Sequence, residues 1–339
     1  MRLIKTEDAV GHVLCHDMTQ IIKDQYKDAR FRKGHVVTEE DIPVLLSMGK
    51  EHLYVWEMTS GMVHENDAAE RLLALCGQEN MIRSGVKEGK IELKAACDGV
   101  FLVDSARLVA VNSQDEVMIA TRKGGMAVRE GDKLAGMRVI PLIIEEEKLR
   151  KAEQAAGDKP LLSLKPYVRK TACIVATGGE VKKGLIKDTF TPVVIDKLKT
   201  YGIETLEVVY SGDGVENVRD AVLAMRGKKP DMILCTGGMS VDPDDNTPGG
   251  IKAAGANIIA YGAPVLPGAM FLLGYFDDGM PVMGLPGCVM YAGATVFDLV
   301  LPKIAADVPV TRADLAALGE GGLCLGCKPC HYPICPFGK

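Results

Sequence analysis

The chain has no histidine between residues 65 and 330: five of its six histidines lie at or before His64, and the sixth is His331. That gap excludes a Ser-His or Cys-His nucleophile from most of the C-terminal half. A basic surplus is also lacking, since 40 Lys and Arg stand against 45 Asp and Glu for a formal net charge of -5. Nucleic acid and acidic membrane faces are therefore not expected as partners. The opening residues, Met1 to Asp8, carry no apolar run of the signal-peptide kind. The most apolar later stretch, 251–276, is broken throughout by Gly and Pro. A cytoplasmic protein without a membrane span is the expectation. No complete Walker A or dinucleotide signature occurs either: Thr177-Gly178-Gly179-Glu180 runs on to Gly184 without the Gly-Lys-Ser/Thr ending that a nucleotide motor requires.

What is present divides the 339 residues into several regions. Residues 1–80 read as an N-terminal α+β region, with a turn at Phe31 to Gly34, a helix capped at Thr38, a strand over 53–56 and a helix over 66–76. His12, Cys15 and His16 do not suit a metal site, because adjacent residues of an alternating segment point to opposite faces. Residues 81–147 form a β-rich module, with strands expected at 90–96, 100–103, 108–111, 116–121 and 137–144. A charged helical run and the Pro-bearing stretch through Pro166 make 148–168 a helical linker. Over 169–309 strand and helix alternate. Strands are expected at 171–176, 203–209, 231–235, 258–261 and 281–284, with helices at 188–201, 215–226, 247–254 and 290–306. This predicts an α/β domain with a doubly wound, mostly parallel sheet, preceded by the smaller β-rich part.

In such sheets ligands sit outside the carboxyl ends of the strands. Three glycine-bearing segments each follow a strand directly: Thr177-Gly178-Gly179-Glu180, Thr236-Gly237-Gly238 and Leu285-Pro286-Gly287. Glycines there let backbone amides approach a ligand. Asp242, Asp244 and Asp245 follow the second loop, and Thr247 with Pro248 reads as the start of a helix. Amides facing phosphate and carboxylates facing a divalent cation such as Mg2+ would suit a phosphorylated ligand. Asp188 with Thr189, and Asp213, are further acidic candidates, each equally explained as a helix cap.

These segments, together with Gly184-Leu185-Ile186-Lys187-Asp188, Pro267-Gly268 and Gly284-Leu285-Pro286-Gly287, resemble the molybdopterin-binding domain of molybdenum cofactor biosynthesis, the family of molybdopterin molybdenumtransferases and adenylyltransferases. The resemblance covers about 169–306, and 33–55 also looks like the segment leading into that domain in the molybdenumtransferases. It implies that Asp245 is the shared acidic, catalytic residue of the Gly-Gly loop. Gly237, Gly238, Ser240 and Thr247 would then line the pterin-phosphate site, with Glu180 and Asp188 in the first loop. It further implies a molybdenumtransferase-like enzyme with molybdopterin and molybdate as ligands, in a homo-oligomer; a carrier, storage or sensor protein is the alternative. Trp56 is a candidate for the subunit interface, though a buried core position suits it better. Three positions depart from the family pattern: Gly179 stands where Asp is usual, Ala269 where Lys usually follows Pro-Gly, and Cys288 where Asn usually follows Leu-Pro-Gly.

Of ten cysteines, six are scattered singly in apolar settings, as small buried thiols are. The other four, Cys324, Cys327, Cys330 and Cys335, fall in a tail, 310–339, at the spacing of thiolate ligands, with Pro336 after the last. Zinc or an iron–sulfur cluster is expected there, with His331 able to replace one thiolate, and docking onto a molybdoenzyme would suit such a tail.

Overall fold

The computed structural model describes residues 2–22, 26–55, 61–240, 242 and 245–339; Trp56 and Asp244 lie outside them. The chain forms two compact units. One comprises Met1–Ala96, Val103–Arg122 and Gly131–Ser163, and the other Cys97–Leu102, Lys123–Glu130 and Leu164–Lys339. The stretch 81–147 thus contributes to both.

The second unit holds the α/β domain. Its strands are β1 (Thr171–Thr177), β2 (Glu204–Ser211), β3 (Met232–Thr236), β4 (Asn257–Tyr261), β5 (Leu272–Tyr275) and β6 (Pro281–Leu285). They form one sheet in the order β2-β1-β3-β6-β5-β4. The first four in that order run parallel, and β5 is antiparallel to both its neighbours. The helices are α1 (Phe190–Lys199), α2 (Val215–Arg226), α3 (Thr247–Ala253), α4 (Val296–Ala305) and α5 (Arg312–Ala317).

The period-2 alternation of a strand buried on both faces explains the two cores. Ala172, Ile174, Met232, Leu234 and Met283 face Val194 and Leu198 of α1 and Val296 and Val300 of α4. Their neighbours Cys173, Val175, Ile233, Cys235 and Val282 face Val218, Val222 and Met225 of α2 and Ile251 of α3. Each fully buried aliphatic side chain contributes about 1.5–3 kcal/mol. Gly250 brings α3 against α2, for a β-carbon there would overlap Val218. The chain leaves β1 outward to β2 and returns across it to β3, so the sheet's switch point lies between β1 and β3.

Two differences from the sequence reading concern this domain. Leu272–Tyr275 is a strand that the Gly-rich apolar stretch concealed. The last helix begins at Val296 rather than 290, because Thr295 and Asp298 form a capping box that starts it afresh, after a separate 3-10 turn over Gly287–Met290. The stretch expected as linker contains a strand, Leu162–Pro166, paired in a three-stranded sheet with Gly99–Val103 at its centre.

In the first unit, Met81–Arg83, Ile91–Ala95, Lys133–Val139 and Val117–Thr121 make an antiparallel sheet in that order. Helices Glu65–Cys76, Ser105–Asn112 and Glu146–Ala156 pack with it. Residues 108–111, expected as strand, lie within Ser105–Asn112: the Asp104 carboxylate accepts from Arg107 N at 3.1 Å and starts a helix there. A short apolar run fits either period, and the cap decides. Among the described residues no helix is long and apolar enough to cross a membrane.

Two histidines withdrawn from water give this unit a pH dependence. His64 is buried, and its Nε2 lies 2.7 Å from the Cys15 carbonyl, to which it donates. Nδ1 must then be the bare acceptor, facing Asn66 N at 3.2 Å and Lys33 Nζ at 3.1 Å. Burial, against the opposing Cys15 bond and aided by the Lys33 charge, holds the His64 pKa below the ordinary value. Burial also lowers that of His16. The unfolded chain therefore takes up these protons first, so stability is complete above about pH 6.5 and declines as pH falls from there through the lower folded values. Urea unfolding followed by circular dichroism is expected to show a lower midpoint at pH 5.5 than at pH 7.5, and His64→Gln to reduce that difference.

Candidate functional site

The carboxyl ends of β1, β2, β3 and β6 bring together four loops. Thr177, the last residue of β1, donates through Oγ1 to the Thr236 carbonyl at the end of β3, 3.0 Å away. The same hydroxyl lies 3.1 Å from Thr247 Oγ1 on the first turn of α3, and Thr247 Oγ1 donates to the Gly237 carbonyl at 2.9 Å. Thr247 N donates to the Gly238 carbonyl at 3.1 Å. These threonines are buried, so their hydroxyls set the course of the Gly-Gly loop and bond protein groups. Gly237 and Gly238 have φ of 84° and 58°, left-handed values that favour glycine. Both also lie where a β-carbon would meet a threonine oxygen.

The loop closes on Asp245. Its Oδ2 accepts from Ser240 N at 2.8 Å, while Asp245 N donates to the Asp242 carbonyl at 2.9 Å. Tyr261 Oη donates to the Met239 carbonyl at 2.9 Å, tying the loop to β4.

Asp213, exposed after β2, reaches across to the first loop and accepts from Gly179 N at 3.0 Å. A β-carbon at residue 179 would come within 2.8 Å of that carboxylate, so the glycine makes room for it. Gly178, at φ 137°, leads into a single helical turn, Gly179–Lys182, on which Glu180 is exposed. Asp188 Oδ1 accepts from Phe190 N at 2.9 Å and Thr191 N at 3.0 Å, capping α1, and its Oδ2 accepts from Tyr210 Oη at 3.2 Å. Burial raises the Asp188 pKa, but these bonds outweigh it and leave the carboxyl below its ordinary range. Thr189 Oγ1 donates to Met290 Sδ at 3.0 Å, joining the first loop to the turn after β6. In that turn Pro286 is buried, Gly287 exposed and Cys288 half-buried. The residues singled out from sequence thus belong to one connected set of strand-end loops. The Asp213 bridge and the threonine relay have no sequence signal beyond residue type.

Among the described residues no three His, Cys, Asp or Glu side chains are placed to share a metal ion, at the tail or around Asp245. Tyr332 Oη donates to the Asp298 carbonyl at 3.0 Å and Phe337 is buried in the domain core. With the strap pinned at these points, Cys324 and Cys335 pack against that core, whereas Cys327 and Cys330 are exposed. A cavity of about 290 Å3 lies elsewhere in this unit, lined by Leu299, Lys303, Val310, Asp314 and Leu315, and includes none of the strand-end loops.

Residues 173–306 match the family model described as a probable molybdopterin binding domain, and residues 3–57 match one for a domain of unknown function. No curated protein matches the sequence. Similar solved structures include CinA of unknown function from Thermoplasma acidophilum, at 17% identity over 40% of this chain and 98% of that one, TM-score 0.34. The molybdopterin biosynthesis enzyme MoaB of Thermus thermophilus is 16% identical over 42% and 98%, TM-score 0.36. A molybdenum cofactor biosynthesis protein of Pyrococcus furiosus is 13% identical over 93% of this chain and 64% of that one, TM-score 0.27. The match to the probable molybdopterin binding domain model thus spans residues 173–306, the stretch that carries the strand-end loops described above.

Proposed function

We propose that the strand-end crevice binds molybdopterin and takes part in making the molybdenum cofactor, as a molybdenumtransferase-like protein that admits molybdate to the bound pterin. The observation that carries this reading is the Gly237–Ser240 loop. Glycines that must remain glycines hold its backbone close to β1, and Asp245 closes it. Backbone amides in such a loop suit a phosphate, and the family match supplies the pterin. Any Mg2+ would serve to neutralise phosphate charge; the steps assigned to this chain are those of its own groups, which orient the anion and exclude water.

Asp245→Ala removes the acceptor for Ser240 N, an exposed bond worth about 0.5–1.5 kcal/mol, and opens the loop. Molybdopterin binding by isothermal titration is therefore expected to weaken about twofold to tenfold. The carrier reading is favoured by Asp245 already being engaged within the loop. Asp245→Asn separates the two, since it keeps an acceptor for Ser240 N and removes the charge. Loss of molybdate insertion with affinity retained supports the transferase, and tight binding with no turnover in the parent protein supports the carrier. If the parent protein binds no molybdopterin, both readings are wrong.

A further inference from the structure

Beside the strand-end loops stand four exposed apolar side chains that the phosphate site does not explain. Leu185 and Ile186, in the loop after β1, are 70% and 56% exposed; Tyr210, at the end of β2, is 43% exposed, and Tyr291, after the turn following β6, is 78% exposed. Single exposed apolar residues are ordinary, but these come from three chain segments that the structure ties together. Tyr210 Oη donates to Asp188 Oδ2 at 3.2 Å, three residues from Leu185, and Thr189 Oγ1 donates to Met290 Sδ at 3.0 Å, next to Tyr291. Asp188 is consumed by the cap of α1 and by Tyr210, so it serves to tie these segments together. The polar Gly237–Ser240 loop belongs to the same set of strand ends, joined to β1 through the Thr177 and Thr247 hydroxyls. The strand ends therefore carry a loop suited to an anion and exposed apolar side chains suited to a flat, weakly polar ring.

We propose that Leu185, Ile186, Tyr210 and Tyr291 form a collar that grips the heterocycle of the ligand, while its anionic end lies at the Gly237–Ser240 loop. This rests on the pterin reading above and assigns the ring a place within it. Aromatic side chains hold planar heterocycles through stacking that is worth a factor of roughly ten or more per ring. Tyr291, the most exposed of the four, is the contact with least internal work to do.

The test uses the full chain and 6-hydroxymethylpterin, a fluorescent ring without phosphate, titrated by fluorescence anisotropy beside molybdopterin. Tyr291→Ala is expected to weaken binding of the pterin probe about tenfold or more, Tyr291→Phe to leave it within about twofold, and Leu185→Ser to weaken it to a lesser extent. Melting temperatures of all three variants should match the parent, because the side chains are exposed. If Tyr291→Ala and Leu185→Ser bind the probe as the parent does, the collar is refuted. It is equally refuted if the parent binds molybdopterin and not the probe, and in both cases the function proposed above stands. A parent that binds neither molecule overturns that function and the collar with it.

Discussion

Gly237→Ala is expected to abolish ligand binding and to destabilise the α/β unit together. Two costs coincide at this position. Its φ of 84° is left-handed, where a β-carbon costs roughly 1–2 kcal/mol. That β-carbon would also overlap the Thr177 carbonyl oxygen and lie 2.8 Å from Thr177 Oγ1. Neither atom is the free end of a flexible chain: one is backbone at the end of β1, the other a buried hydroxyl bonded to the Thr236 carbonyl. Displacing them adds the penalty of overpacking, about 1–3 kcal/mol. The sum, about 2–5 kcal/mol, would be relieved by moving the loop off β1, which is the geometry on which the proposed anion site depends. Thermal unfolding should show a lower midpoint, and isothermal titration with molybdopterin no detectable heat. Gly255→Ala is the matched control: its φ of 91° carries the conformational cost, but a β-carbon there meets nothing within 4 Å. Molybdopterin binding equal in Gly237→Ala and the parent would show that the loop is not the binding surface.

The parts of this site legible in the sequence were those written in periodicity. Strands β1, β3 and β6 are apolar runs ending in Thr-Gly-Gly, Thr-Gly-Gly and Leu-Pro-Gly, and a doubly wound sheet places such ends together. What periodicity cannot express is which polar atom bonds which. Thr177 and Thr247 stood as lining residues, yet in the structure their hydroxyls bond the Thr236 and Gly237 carbonyls, because a buried hydroxyl needs a partner and the loop backbone supplies one. Gly179 read as a missing carboxylate, whereas Asp213, thirty-four residues on, points its own into the space that the glycine leaves. Residues 108–111 illustrate the opposite failure, an apolar run short enough to suit a strand until the cap at Asp104 is counted. In the tail, cysteine spacing describes which thiols could meet, and the burial of Phe337 and the Tyr332 hydrogen bond, which hold the backbone, carry no spacing signal.

Phe337→Ala is expected to release that tail and to cost more than any of its cysteines. Phe337 is 2% exposed within the core that contains Val296, Leu299 and Val300 of α4. Its ring meets Tyr332 edge-on, with centroids 6.2 Å apart at 71°. A Phe→Ala change in such a site costs about 3–5 kcal/mol, on the order of 10 °C in melting temperature for a unit of this size. Among the described residues the tail has no helix or strand of its own beyond 317 to resist the loss. Its remaining attachments include Tyr332 Oη to the Asp298 carbonyl and Cys324 N to the Leu266 carbonyl at 2.8 Å. The thiols report the release directly. In the parent, exposed Cys327 and Cys330 should be alkylated first by iodoacetamide, and half-buried Cys324 and Cys335 more slowly, as read by peptide mass spectrometry. In Phe337→Ala all four should react together. A parent whose four thiols resist alkylation equally would mean that something other than the aromatic anchors gathers them, and treatment with a chelator before alkylation would then identify it as a metal ion.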